Sequence, residues 1–274
     1  MTVERNLGRS LNGIPDIYYY IPRKNDPQWG EFLRLEKKYL GHTFKPERII
    51  TDGRFRFHPD NNWFLPHLLT EGVSVVACSF FKTHFFPHGL KIGKINNDRI
   101  KVTDIATELG VGGSQGLYFV EIGGLVTLEN KRGMGFAQAL VVEMINDLKK
   151  YSERNCSFLE IGEDGSERFL DPANSQLFLV MAAKGVFRDK YQEEWSDLMG
   201  RINKTGRKVL DLRPLRQNWA NLIGQPRTES RAVVMITKDI NLQWLEGCFS
   251  LTHGGPIFTA PLTSFLQTFK QKAL

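Results

Sequence analysis

Residues 118–150 decide the fold, and they read YFVEIGGLVTL-ENKRGMGFAQ-ALVVEMINDLKK. The first part is rich in β-branched and aromatic residues and ends at Leu128, which predicts a β-strand. The last part has apolar residues at the spacing of one helical face. These residues are Leu140, Val141, Met144, Ile145 and Leu148. A tight glycine turn is therefore expected to join a strand to a helix.

The turn Arg132-Gly133-Met134-Gly135-Phe136-Ala137 is typical of an anion site. The first N–H groups of a helix have no intrahelical acceptor, and the helix dipole places partial positive charge there. Glycine lets the backbone approach a phosphate closely, and the guanidinium of Arg132 adds a full positive charge. The turn is therefore predicted to bind a phosphate or pyrophosphate, with a helix start that binds no ligand as the alternative.

Three known glycine turns can be compared with this one. A P-loop needs Gly-Lys-Ser/Thr, but Phe136 and Ala137 follow Gly135 here. A dinucleotide fingerprint needs a small third residue where Gln138 stands. The acyl-CoA turn Arg-Gly-x-Gly-x-Gly/Ala matches residue for residue. In this turn the chain resembles the GCN5-related N-acetyltransferase (GNAT) family.

A second stretch further along the chain adds to this resemblance. Residues 156–161 (CSFLEI) predict another strand, and Pro172-Ala173-Asn174-Ser175 is typical of a helix start. The run LFLVMAAKGVF at 177–187 resembles the family's following helix, which ends in Gly-Phe, with Val186 inserted before the aromatic residue. The resemblance covers residues 70–190.

The resemblance implies a fold class and a division of the chain. The fold would be α/β (α+β), with a mixed, centrally splayed sheet flanked by helices and with N- and C-terminal extensions. Residues 1–69 would contribute an early helix, predicted over 27–40, and a possible wall of the acceptor site. Residues 70–190 would form the acyl-CoA-binding core. Residues 191–274 would complete the sheet and carry a basic stretch.

Glycines 123 and 124 lie inside the predicted strand, where glycine often marks a bulge. A bulge leaves backbone groups unpaired, and an extended ligand arm can pair with them. In the family the pantetheine arm of CoA lies there. The alternative is a bulge that only increases the twist of the strand and binds no ligand. The residues implied to bind acetyl-CoA, or another acyl-CoA, are Leu125, Val126, Thr127, Arg132, Gly133, Met134, Gly135, Phe136, Ala137 and Asn174.

The implied reaction transfers an acyl group from CoA to an amine, and it needs a base for the amine's proton. Glu121, on the central strand beside the bulge, is the candidate base, with a surface glutamate as the alternative. The family often has a tyrosine as general acid on the helix that ends in Gly-Phe. Met181 stands at that place here, and nothing selects Tyr118 or Tyr191 instead.

Composition describes an ordinary globular protein of 274 residues, with 41% hydrophobic and 24% charged residues. The formal net charge of +6 favours anionic partners without choosing among them. The apolar runs are too short to span a membrane, and the N-terminus lacks a secretory pattern. We therefore expect a cytoplasmic protein without a membrane partner.

Cysteine and histidine spacing gives no sign of a metal site. Cys78, Cys156 and Cys248 are far apart, and this favours neither a zinc ribbon nor a disulfide framework. His84 and His88 are four residues apart, but Pro87 would interrupt a helix between them. We expect a surface or packing role for both histidines and no metal.

Three functions remain open from the sequence. The favoured one is an N-acetyltransferase that uses acetyl-CoA and an amine acceptor, either a small molecule or a protein. The second is a non-catalytic member that binds CoA or a protein partner, because Met181 replaces the usual tyrosine. The third is a basic protein that interacts with nucleic acid, suggested by the charges of residues 201–216 but without an accompanying motif.

Overall fold

The structure is a computed structural model of the chain, and it describes residues 9–10, 16–89, 91–96, 99–111, 116–154, 156–173, 176–182, 243–249 and 256–268. These residues form an α+β fold with mixed strand pairing and flanking helices, as predicted. They divide into two compact units. The first takes its described residues from Met1–His84 and Val120–Asn174, and the second from Phe85–Phe119 and Ser175–Phe269.

The described strands are β1 (Arg9–Ser10), β2 (Ile17–Tyr20), β3 (Phe55–His58), β4 (Asn61–Asn62), β5 (Phe64–Glu71), β6 (Ser74–Phe86), β7 (Lys91–Asn96), β8 (Arg99–Asp104), β9 (Leu117–Thr127), β10 (Phe158–Ile161), β11 (Glu167–Phe169), β12 (Leu177–Ala182), β13 (Gln243–Phe249) and β14 (Pro256–Pro261). The described helices are α1 (Pro27–Leu40), α2 (Ile105–Glu108), α3 (Phe136–Ser152) and α4 (Leu262–Thr268). Two short 3₁₀ turns cover Pro46–Arg48 and Glu129–Lys131.

The first unit contains two sets of paired strands. In the larger set the neighbours are β1-β2-β5-β6-β9, and the pairs β1–β2, β2–β5 and β5–β6 are antiparallel. In the smaller set the order is β11-β10-β3-β4, with β10 and β3 parallel and the outer pairs antiparallel. The smaller sheet is therefore mixed.

Helix α1 packs on one face of the larger set through aromatic residues. Pro27 begins the helix at a position where a missing N–H costs little, and Gly41 ends it in the left-handed conformation. Its buried residues form one cluster with residues of β5, β6 and β9: Trp29, Phe32, Leu35, Leu68, Val75, Cys78, Phe80 and Val126. The predicted helix over 27–40 is confirmed.

Helix α3 packs against β5 and follows the glycine turn after β9. All five apolar positions that the sequence assigned to one helical face are buried. Near the helix end, the ring of Tyr151 meets Phe55 of β3 edge-on. The strand, turn and helix predicted over 118–150 are therefore confirmed as elements.

The second unit has its own run of paired strands. The order is β9-β12-β14-β13-β7-β8, and β9 contributes residues 117–119 here. The N–H of Tyr118 donates to the carbonyl of Gln176 at 3.0 Å, and Phe119 stacks on Phe178. Helix α4 lies beside β12 and β14. Strands β13 and β14 belong to the predicted C-terminal segment 191–274.

The helix expected within 177–187 is wrong for its first half. Residues Leu177–Ala182 form β12, which pairs antiparallel with β14, and Met181 lies opposite Phe258. A short, continuous apolar run has the same periodicity in a buried strand as in a buried helix, so pairing with a distant strand decides its structure. The comparison of Met181 with a helical tyrosine therefore no longer holds, and this part of the family resemblance loses its basis.

Some predicted features lie outside the described residues. They are Asn174, the later part of the expected helix at 183–187, Tyr191 and the basic stretch at 201–216.

Candidate functional site

The glycine turn at the start of α3 is built by two left-handed residues. Gly133 and Gly135 both have φ of +81°, a conformation that disfavours any side chain with a Cβ. Gly135 immediately precedes α3, and its carbonyl accepts the first helical hydrogen bond, from the N–H of Ala139 at 3.0 Å. Phe136 is buried and fixes the helix start in the core.

The space in front of this turn is open. A Cβ added to Gly133 or Gly135 would meet no atom within 4 Å. Among the described residues, the N–H groups of 133–137 have no hydrogen-bond acceptor, as expected at a helix start. Arg132 is exposed beside them, and so is Met134. Unpaired donors, a helix dipole and a guanidinium together form a positive site that an anion can approach.

Two contacts connect the residues just before the turn to strands β6 and β5 of the first unit. The N–H of Leu128 donates to the carbonyl of Val76 at 3.0 Å, which fixes the end of β9 to β6. The ammonium of Lys131 lies 2.7 Å from a carboxylate oxygen of Glu71, at the end of β5. The predicted cofactor residues Leu125, Val126 and Thr127 lead along β9 into this turn, with Val126 buried and the other two half-buried.

An irregularity interrupts β9 where the sequence predicted a bulge. Gly124 has φ of +61°, and a left-handed residue inside a strand is typical of a bulge. A Cβ on Gly123 would lie 2.7 Å from Phe80, and one on Gly124 would lie 2.1 Å from Phe80 and 2.6 Å from both carboxylate oxygens of Glu36. Only glycine therefore fits at this point of the strand.

Glu121 is paired with His84 beside this bulge. Oε2 of Glu121 lies 2.6 Å from Nε2 of His84, across the neighbouring strands β9 and β6. The Glu121 side chain is 20% exposed and the His84 side chain 10%. Burial, together with the charge of Lys82, lowers the pKa of His84, and Glu121 acts in the opposite direction. The sequence prediction of a surface or packing role for His84 missed this pairing.

A second histidine–carboxylate pair lies beside the same bulge, next to Gly124. Glu36 of α1 is fully buried, and its Oε2 lies 2.8 Å from Nδ1 of His42. The Cys78 thiol donates to Oε1 of the same carboxylate at 3.7 Å. Burial raises the pKa of Glu36, while the hydrogen bonds from His42 and Cys78 counteract it. This group was absent from the sequence prediction.

The helix end explains why His42 meets Glu36. The N–H of Gly41 donates to the carbonyl of Lys37 at 3.1 Å, and the N–H of His42 donates to the carbonyl of Glu36 at 3.3 Å. The left-handed Gly41 and its bond to Lys37 are the αL motif that ends many helices, and the His42 bond turns the chain back over the last helical turn. A glutamate six residues before a histidine, with glycine between them at the helix end, is a signal that the sequence does contain.

Two general features complete the description of the site. Within the described ranges, no three His, Cys, Asp or Glu side chains converge to bind a metal ion. Of the helices described above, none combines the length and the apolar character needed to cross a bilayer.

Solved structures resemble the chain at low identity. Arabidopsis thaliana NAA60 in complex with acetyl-CoA is 10% identical, with a TM-score of 0.35, over 89% of this chain and 98% of that one. The same protein with a bisubstrate analogue is 11% identical, with a TM-score of 0.33, over 89% and 97%. The arginine/ornithine succinyltransferase subunit AI from Pseudomonas aeruginosa is 8% identical, with a TM-score of 0.35, over 73% and 60%.

No family model and no curated protein matches the chain. The function is therefore inferred from the residues and geometry of the chain itself.

Proposed function

We propose that the protein is an acyl-CoA-dependent N-acyltransferase of the GNAT type, which transfers acetyl from acetyl-CoA to a primary amine by direct attack in a ternary complex. The acceptor would be a small molecule or a protein with a free amine.

The observation that supports this most is the open turn before α3. Two left-handed glycines leave open space in front of the backbone N–H groups of 133–137, which have no acceptor among the described residues. Arg132 adds a positive charge beside these N–H groups. The diphosphate of CoA matches such a site in charge and in its need for several donors. The match of 132–137 to the acyl-CoA turn makes CoA a better candidate than a simple phosphate.

The remaining cofactor contacts follow from the direction of β9. The strand leads from the bulge at Gly124 to the turn, so the pantetheine arm would lie along the backbone of Leu125, Val126 and Thr127. Its thioester would then reach the bulge, close to Glu121. A backbone N–H freed by the bulge would bind the thioester oxygen as it gains negative charge.

The reaction would need little chemistry from the protein. The amine nitrogen bonds to the carbonyl carbon, the amine proton passes to Glu121, and the C–S bond breaks to release CoA as a thiolate. Holding both reactants together supplies much of the rate. A thiol is acidic enough for the thiolate to leave without help, so departure without a side-chain acid is the simplest path.

Titration calorimetry with acetyl-CoA tests the binding site directly. Replacing Arg132 by Glu should weaken binding about 100-fold, because an anion would then face the diphosphate. Lys149→Glu is the matched control, since it makes the same charge change at the opposite end of α3. Equal affinity in wild type and Arg132→Glu would remove the proposed site.

A thiol-release assay over a panel of amines tests the reaction. Release of CoA only when an amine is present supports acyl transfer. Tight acetyl-CoA binding without release for any amine would instead support the non-catalytic alternative. Absence of acetyl-CoA binding would leave the nucleic-acid alternative, which rests on residues 201–216.

A further inference from the structure

We propose that His84 is a positioning residue for this reaction, and that it holds Glu121 through Nε2 so that the second carboxylate oxygen faces the bulge of β9. This inference rests on the proposed function, and it adds a residue that acts through Glu121 without touching the substrate.

The geometry of the pair supports the inference first. Nε2 of His84 lies 2.6 Å from Oε2 of Glu121, a short distance typical of hydrogen bonds to a charged group. The other oxygen, Oε1, lies 3.5 Å from the position that a Cβ on Gly123 would occupy. One oxygen is therefore held by the histidine, and the other points to the irregular part of β9.

The supporting elements make this orientation rigid. His84 lies on β6 and Glu121 on β9, and the two strands are neighbours. Ser79, also on β6, donates its hydroxyl to the carbonyl of Gly123 at 2.7 Å, which fixes the backbone next to the carboxylate. Sites on strands keep their geometry better than sites on loops.

The charges around the pair favour a neutral histidine that donates. Burial and the nearby Lys82 both favour the neutral imidazole, while Glu121 favours the charged form. A neutral ring with its proton on Nε2 donates to Glu121 and leaves the carboxylate anionic. An anionic, oriented carboxylate can accept the proton of an amine, and a hydrogen bond from His84 restricts its rotamers.

Steady-state kinetics of three histidine variants tests the role. His84→Phe fills the space but removes the donor, and we expect kcat to fall about 30-fold while KM for acetyl-CoA stays unchanged. His84→Gln keeps an N–H near the position of Nε2 and should retain kcat within about threefold. His88→Gln is the matched control, because His88 is exposed and should leave both constants unchanged.

The pH profile separates positioning from packing. A hydrogen bond to a carboxylate favours its ionised form, so removing the donor in His84→Phe should move the acidic limb of kcat/KM for the amine to higher pH, whereas His84→Gln should leave it in place. Equal profiles and equal kcat in wild type and His84→Phe would overturn the inference. Equal losses of kcat in His84→Phe and His84→Gln would also overturn the inference.

Two controls keep this result distinct from a failure of the proposed function. Acetyl-CoA affinity, measured by calorimetry in each variant, confirms that the fold and the turn are intact. If the wild type binds acetyl-CoA and turns over an amine, but the His84 variants have the same kcat and pH profile as the wild type, only the positioning role is rejected. A wild-type protein that turns over no amine would reject the proposed function, and the role of His84 with it. If His84→Phe does not fold, His84→Gln is the deciding variant. The positioning role of His84 then requires that His84→Gln keep a near-normal kcat and an unmoved acidic limb. A lower kcat or a shifted limb in His84→Gln would overturn the role.

Discussion

Two glutamate–histidine pairs lie beside the bulge in β9, and they differ in which partner is more exposed to solvent. In the Glu121–His84 pair the carboxylate side chain is 20% exposed and the histidine 10%. In the Glu36–His42 pair the carboxylate is 0% exposed and the histidine 36%. The bonded distances are nearly equal, at 2.6 and 2.8 Å. Two pairs of the same groups at similar distances therefore expose opposite partners to solvent.

This difference assigns separate roles to the two carboxylates. Glu121 is partly exposed to solvent, whereas at the other pair only the imidazole of His42 is exposed. Glu36 instead fills the space over Gly124, where it contacts the thiol of Cys78 and connects α1 to the sheet. We therefore expect the first pair to affect turnover and the second to affect stability.

The largest effect is expected from the residue on which both pairs depend. Gly124→Ala would place a methyl group 2.1 Å from Phe80 and 2.6 Å from the Glu36 carboxylate, in a left-handed conformation. We expect a loss of about 3 kcal/mol in the free energy of unfolding, measured in urea. Gly72→Ala, with φ of +58° and open space, should cost only about 1 kcal/mol. Equal losses in the two variants would show that the crowding at Gly124 is unimportant.

The next effect concerns turnover and compares the two carboxylates directly. Glu121→Gln should lower kcat about 100-fold, because the amide accepts no proton, and should leave the melting temperature unchanged. Glu36→Gln should leave the acidic limb of the pH–rate profile in place, because that carboxylate is sealed from the substrate. A large loss of kcat in Glu36→Gln together with normal turnover in Glu121→Gln would reverse the two roles.

A smaller effect is expected on stability from truncating the buried carboxylate. Glu36→Ala would leave the donors of His42 and Cys78 without their acceptor and open a gap beside Phe80, which should cost about 2 kcal/mol in urea unfolding. Glu31→Ala is the control on the same helix. Its pair with Arg34 is largely exposed, so the change should cost less than about 0.5 kcal/mol. An unchanged Glu36→Ala protein would contradict a structural role.

The smallest effect is a pH dependence of stability. Burial raises the pKa of Glu36 above its ordinary 4.5, so the folded state keeps this proton to higher pH than the unfolded state does. Between the two values the folded state binds more protons, and its stability falls as pH rises, by at most about 1.4 kcal/mol per pH unit. Relative to wild type, Glu36→Gln should therefore gain stability as pH rises through this range. Parallel curves in urea unfolding at several pH values would contradict this.

Local signals in the sequence were enough for the elements that build the turn. The apolar spacing after Ala139 and the glycines at 133 and 135 predicted the start of α3, and Pro27 with Gly41 bounds α1. These features depend on residues a few positions apart, and both helices are confirmed. The irregular Gly124 was predictable for the same reason.

Features that depend on strand register were not predictable. The run 177–182 is equally apolar as strand or helix, and only its pairing with β14 settles the matter. His84 meets Glu121 because β6 and β9 align at that register, and a shift by one residue would turn either side chain to the other face. The cofactor and base assignments remain proposals from a motif and its geometry.

The two pairs also differ in when they can form. Glu36 and His42 are six residues apart, whereas Glu121 and His84 are 37 apart. Closing a short loop costs less chain entropy, so the first pair can assemble within one nascent segment while the second must wait for two strands to dock. The buried carboxylate of Glu36 can therefore pair with His42 before the strands dock. Fraying between β6 and β9 would separate Glu121 from His84 while α1 kept its own closure, so the proposed activity should be lost before helicity during gradual denaturation.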